Sequence, residues 1–168
     1  ARAAGLETCT VDHCMHADRR EFEEVLDGVL NYSGAELVCL AGFMRLLTAG
    51  FVDRWYDRLI NIHPSLLPSY KGLDTHRRVL EDGLRLTGCT VHFVRSDMDA
   101  GPIIVQAAVP VHDNDDEDTL AARVLAAEHH CYPLAVRLIA DGHVRVVDER
   151  VTIVGAIAPG DFLINPMI

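Results

Sequence analysis

Along the 168 residues, short apolar runs of strand length alternate with longer segments of helical period. That alternation predicts an α/β domain built around a mainly parallel central sheet flanked by helices. ETCTVD (residues 7–12) reads as a first strand. Asp18 then stands as an N-cap before RREFEEVLDGVLNY, in which Phe22, Val25, Leu26, Val29 and Leu30 recur at helical spacing. ELVCLAG (residues 36–42) is a continuous apolar run, as expected of a central parallel strand covered on both faces. Thr48 caps a short helix reaching about Tyr56, and RLINI (residues 58–62) is the next buried strand.

Further along, residues 75–83 predict a helix ending on Gly83. GCTVHFV (88–94) and PIIVQAAVPV (102–111) are β-rich runs on either side of the acidic turn RSDMDAG. The longest helix is expected to start near Asp116 or Asp118, with Pro133 bending or splitting it. HVRVV (143–147) is a last edge strand. Residues 1–155 form one domain on this reading, and residues 156–168, with two prolines and no clear period, a C-terminal tail of irregular structure.

Composition narrows the function classes. A hydrophobic share of 49% suits a single globular domain with a substantial core. No apolar run approaches the roughly 20 residues of a bilayer span, and the first residues carry no signal-peptide pattern, so a cytoplasmic, membrane-independent protein is expected. Fifteen basic against 25 acidic residues leave no footprint for a nucleic acid, though a few local donors still suffice for a small phosphorylated molecule. Five cysteines, an odd number, fit buried small hydrophobes in a reducing compartment better than a disulfide framework. CTVDHCMH and EHHC match no zinc-ligand spacing, and HDNDDEDT lacks the glycine and closing glutamate of a calcium loop, so no metal is expected.

Candidate chemistry sits where RLINI runs into HPSLLPSYKG. Residues two apart on a strand project from one side, so Asn61 and His63 aim into one volume beyond a strand's carboxyl end, where open α/β sheets bind ligands. An asparagine amide can donate to a developing oxyanion, and a histidine can move a proton near neutral pH. The turn after the 88–94 run adds Asp97 and Asp99. A carboxylate beside the imidazole would favour its charged form and fix its ring.

Four motifs in order, LAGFMRLL (40–47), NIHPSLLPSYKGLDTHR (61–77), TVHFVRSDMDAGPII (90–104) and EHHCYPL (128–134), resemble the phosphoribosylglycinamide formyltransferases, a folate-dependent family of purine synthesis. The similarity runs without gaps from about Gly5 to Val147. It implies a Rossmann-like formyltransferase fold and transfer of a formyl group from 10-formyltetrahydrofolate to the amine of glycinamide ribonucleotide (GAR). Small-molecule partners only, and a monomer or homodimer, go with it. By position, Asn61, His63 and Asp99 match the family's catalytic trio. Met44, Arg45, Leu46 and Leu47, with Arg95, Ser96, Asp97, Met98 and Asp99, match its folate loops, which hold the pterin largely through backbone groups. Asn61 also borders the folate, and Arg19 aligns with an arginine that reaches it. Glu128 resembles the glutamate on the GAR side, with Leu125, Ala126 and Ala127 lining that pocket.

Two departures qualify the resemblance. Asp74 stands where the family usually has histidine, and the family's amino-terminal strand and glycine-rich phosphate loop have no counterpart, so the chain reads as N-terminally incomplete. Two other activities are weighed: a formyltetrahydrofolate deformylase of the same fold, in which water replaces the amine, and a folate-binding module without turnover. Formylation of methionyl-tRNA or of a nucleotide amino-sugar fits less well, because HPSLLP followed by GLDTHR resembles the GAR enzymes and the acidic composition disfavours a tRNA partner.

Overall fold

A computed structural model describes residues 1–155 and 165. Its elements are α1 (Arg19–Tyr32), β1 (Val38–Leu40), α2 (Ala49–Arg54), β2 (Leu59–His63), α3 (Thr75–Glu81), β3 (Leu86–Phe93), β4 (Ile103–Pro110), α4 (Glu117–Ala140), β5 (Val144–Val147) and β6 (Arg150–Ile153). The α/β class stands: a four-stranded sheet in the order β1-β2-β3-β4 is flanked by helices, and β5 and β6 make a separate hairpin. No helix among the described residues is long and apolar enough to cross a membrane.

Strand direction departs from expectation. Only β1 and β2 are parallel, whereas β3 runs antiparallel to both β2 and β4. Apolar periodicity reports which faces are buried and is blind to direction, so the helix between β2 and β3 imitates a parallel crossover. Residues 7–12 form no strand. Apart from half-buried Val11 they are exposed, and the segment ends in a short 3-10 turn in which Asp12 accepts a hydrogen bond from the Cys14 amide at 2.9 Å. β-Propensity without a partner ladder does not make a strand. The expected last strand exists as β5, but it pairs with β6 through a two-residue turn. α4 passes Pro133 unbroken. The expected tail lies outside the described residues, Asn165 excepted.

The helix starts follow the sequence closely. Asp18, Thr48 and Asp116 each accept a hydrogen bond from the backbone three residues on, offsetting orphan donors of the first turn. α1 and α2 close over Phe51, Val52, Trp55 and Leu59, and two half-buried polar links lock the pair. The Glu23 carboxylate accepts from the Thr48 amide at 2.8 Å, and Trp55 Nε1 donates to Asp27 at 2.8 Å. Of the five free cysteines only Cys89 and Cys131 are buried, in the core under α4, and burial pushes the Cys89 thiol up to about 12; Cys9, Cys14 and Cys39 are exposed.

α4 lies on β3 and β4 through Leu120, Val124, Cys131 and Ala135, the leucine and valine side chains being worth about 1.5–3 kcal/mol each when fully buried. The Tyr132 hydroxyl donates to the Leu40 carbonyl at 2.6 Å, pinning the helix against the C-terminal end of β1. In β3, a Cβ built on Gly88 would stand 1.8 Å from the Ala107 carbonyl oxygen of β4. Gly88→Ala therefore forces the two strands apart and is expected to cost about 3 kcal/mol or more, read as a lower denaturation midpoint.

Candidate active site

β2 carries the site because its early residues are apolar core and its later ones bring two polar side chains to the cleft. Leu59 and Ile60 are buried, while Asn61 and His63 emerge on one side of the strand as it ends at Pro64, which has no amide to continue the ladder. Antiparallel pairing sets His92 opposite Asn61 and Thr90 opposite His63, with a bulge at Val91/His92. Beside them opens a cleft of about 550 Å³, walled by residues 42–47, 72–76 and 94–100.

His63 is 6% exposed and held from both sides. Its Nε2–H donates to the Tyr70 carbonyl at 2.9 Å, and its Nδ1 lies 3.5 Å from Asp99 Oδ2. The same Asp99 oxygen accepts from the Gly72 amide at 2.7 Å. The Tyr70 carbonyl is an acceptor, which fixes a proton on Nε2. Asn61 lines the cleft with a carboxamide that hydrogen-bonds to none of the described residues. Tyr70, Asp74 and Asp99 hold φ of 55°, 55° and 45°, a left-handed region uncommon for side-chain-bearing residues, on the segments that grip the imidazole.

The mouth of the cleft is apolar: Met44, Leu46, Leu73 and Met98 line it, all four exposed. Such a cluster around a few convergent polar groups suits a flat, largely apolar ligand with a polar edge. Arg45 and Leu47 line the same wall, and the Arg45 guanidinium sits 5.6 Å from the Phe22 ring centre. Ser96 and Asp97 line the opposite side. Arg95 borders the cleft, but its guanidinium is held by Asp57 and Glu149, each at 2.7 Å, and lies 3.9 Å over the Tyr56 ring.

Not every expected site residue comes together here. Arg19 is an exposed first residue of α1 and is not part of the cleft wall. Leu125, Ala126, Ala127 and Glu128 lie on α4, also outside that wall; burial raises the Glu128 carboxyl above its usual range, against an opposing pull from His129. His76, His92 and Glu117 also line the cleft and were not among the expected site residues. Burial depresses the pKa of His92, which donates from Nδ1 to the Phe93 carbonyl at 2.8 Å and leaves Nε2 buried without a described partner. Burial likewise depresses His76, with Glu117 opposing. The alternation in TVHFV signalled His92, yet its place opposite Asn61 follows only from the antiparallel pairing. One potential metal cluster exists among the described residues, the consecutive and exposed Asp12, His13 and Cys14, and it is no part of the cleft wall.

β2 and the loop after β3 thus bring an asparagine, a histidine and an aspartate to one apolar-rimmed cleft. The formyl transferase family model matches residues 1–136, and the chain belongs to that family. It is 51% identical over 146 residues to the trifunctional purine biosynthetic protein adenosine-3 of Gallus gallus, covering 87% of this chain and 15% of that protein. To the phosphoribosylglycinamide formyltransferase of Escherichia coli (strain K12) it is 42% identical over 159 residues, covering 95% of this chain and 75% of that one. The chain thus spans about 15% of the length of the Gallus gallus protein and three quarters of the bacterial one. Among solved structures, glycinamide ribonucleotide transformylase 1 from Symbiobacterium toebii superposes with a TM-score of 0.88 at 45% identity, over 90% of this chain and 72% of that one. A formyltetrahydrofolate deformylase from Burkholderia mallei gives 0.81 at 32% identity, over 90% and 54%.

Proposed function

We propose that the protein transfers the formyl group of 10-formyltetrahydrofolate to the amine of glycinamide ribonucleotide. The observation that carries this reading is the grip of Asp99 on His63 beside the unpartnered Asn61 amide, in a cleft with an apolar mouth. The name of the Escherichia coli relative, a phosphoribosylglycinamide formyltransferase 42% identical to this chain, supports the amine acceptor over water.

In this mechanism the folate lies against residues 44–47 and 95–99, with its formyl group at Asn61. The GAR amine attacks the formyl carbon, forming a new C–N bond and a tetrahedral oxyanion. Asn61 Nδ2–H and the His63 imidazolium donate to that oxygen. Collapse then breaks the bond from the formyl carbon to folate N10, and the proton lost by the amine ends on the folate nitrogen. Each preorganised donor of this kind lowers the barrier by about 3 kcal/mol. Holding amine and formyl carbon in register supplies much of the remainder. His63 now spends Nε2–H on the Tyr70 carbonyl, so engaging substrate means exchanging that acceptor for the formyl oxygen. Asp99 keeps the ring oriented through the exchange.

The test is product analysis with the full-length protein and 10-formyltetrahydrofolate. Formyl-GAR that appears only when GAR is supplied is the expected result. Free formate released at the same rate without GAR would mark a hydrolase instead, and absence of both products would leave a binding module.

A further inference from the structure

The family match ends at residue 136, yet a side chain from beyond it reaches the loop that carries Asp99. β5 and β6 are joined by Asp148 and Glu149, at φ of 49° and 56°. A two-residue turn with both residues in the left-handed region strongly favours glycine at its second position. Here that position holds a glutamate, a conformational cost of about 1 kcal/mol that the turn itself does not require. The side chain accounts for the choice. Glu149 Oε2 accepts from Arg95 Nε at 2.7 Å, its Oε1 accepts from Arg95 Nη2 at 3.2 Å, and the Tyr56 hydroxyl donates to it as well. Arg95 completes its fork on Asp57 at 2.7 Å and on the Val94 carbonyl at 3.1 Å.

Arg95 is the first residue of the turn that runs through Asp99 to Gly101. The far end is fixed too: Gly101 has φ 118°, and a Cβ there would stand 2.2 Å from the Phe93 carbonyl oxygen. The middle is held by Asp99 through the Gly72 amide. Glu149 is therefore one of several groups that hold this loop, and it does so through a charged, bidentate pair, the strongest kind of side-chain hydrogen bond.

We propose that Glu149 is a positioning residue, a latch from the β5–β6 hairpin that holds Arg95 so that the main chain of residues 95–99 is preformed for the folate. The identity of that ligand rests on the function proposed above; the latch itself does not. The test compares Glu149→Gln, which keeps shape and loses charge, with Glu149→Gly, which suits the turn and removes the latch. Amide hydrogen exchange is followed across residues 95–101 of the unliganded full-length protein, alongside KM for the formyl-folate, KM for GAR, and thermal midpoint. Both variants are expected to exchange faster in that segment and to raise the folate KM roughly tenfold, while the GAR KM stays within about twofold, as when a preorganising contact is lost at one subsite. In Glu149→Gly the thermal midpoint is expected to hold, because glycine relieves the turn.

Unchanged exchange in both variants, or a GAR KM that rises as far as the folate KM, would overturn the latch. So would loss of the fold in both, which would make Glu149 a general stabiliser. Faster exchange in a protein that transfers no formyl group at all would uphold the latch and remove the proposed function instead.

Discussion

His63→Ala is expected to lower the rate of formyl transfer by about 10³-fold, the loss typical of removing a proton-moving group that also donates to an oxyanion. The imidazole touches both the Asp99 carboxylate and the 64–74 segment over the cleft. Sequence reasoning places it in an open cleft, where its removal would be nearly silent for stability. The structure has it 6% exposed and hydrogen-bonded, so the same substitution leaves the Tyr70 carbonyl without its donor. A stability loss of about 1–3 kcal/mol is expected in parallel. Steady-state rates measured well below the variant's own melting temperature separate the two effects. A variant that folds and turns over at near-normal speed would deny His63 any part in the chemistry.

Asp99→Asn carries the second largest expectation, a fall in kcat of about 10²-fold with the folate KM changed much less. The substitution is unusually clean at this position. Asparagine tolerates φ of 45° as well as aspartate does, and its Oδ1 can still accept from the Gly72 amide, so loop and backbone are kept. What disappears is the negative charge 3.5 Å from His63 Nδ1. If the charge orients and supports the imidazolium, kcat drops while binding survives. Equal losses in kcat and folate affinity would instead make Asp99 a ligand-binding group.

Much of this was legible in the chain, and for identifiable reasons. Asp18, Thr48 and Asp116 announce their helices because capping is local chemistry, satisfied within three residues. The pair Asn61 and His63 could be placed at a strand end because side-chain alternation and the following proline are local as well. Three features were hidden because they depend on partners distant in sequence. The antiparallel course of β3 is fixed by its neighbours, and with it the position of His92 against Asn61. The strand expected at residues 7–12 has the composition but pairs with nothing described. β6 was missed since Asp148-Glu149 lacks the glycine that signals a tight turn, and that departure reflects a side chain with a task at Arg95.

Diffraction from crystals of the full-length protein soaked with a folate analogue bearing a carbonyl at N10 tests the site most directly. The expected map has the pterin against residues 44–47 and 95–99, and the analogue's carbonyl oxygen within about 3 Å of Asn61 Nδ2 and a His63 ring nitrogen. An analogue seated elsewhere, or one whose carbonyl points away from both side chains while His63 keeps its bond to Tyr70, would contradict formyl transfer by this trio.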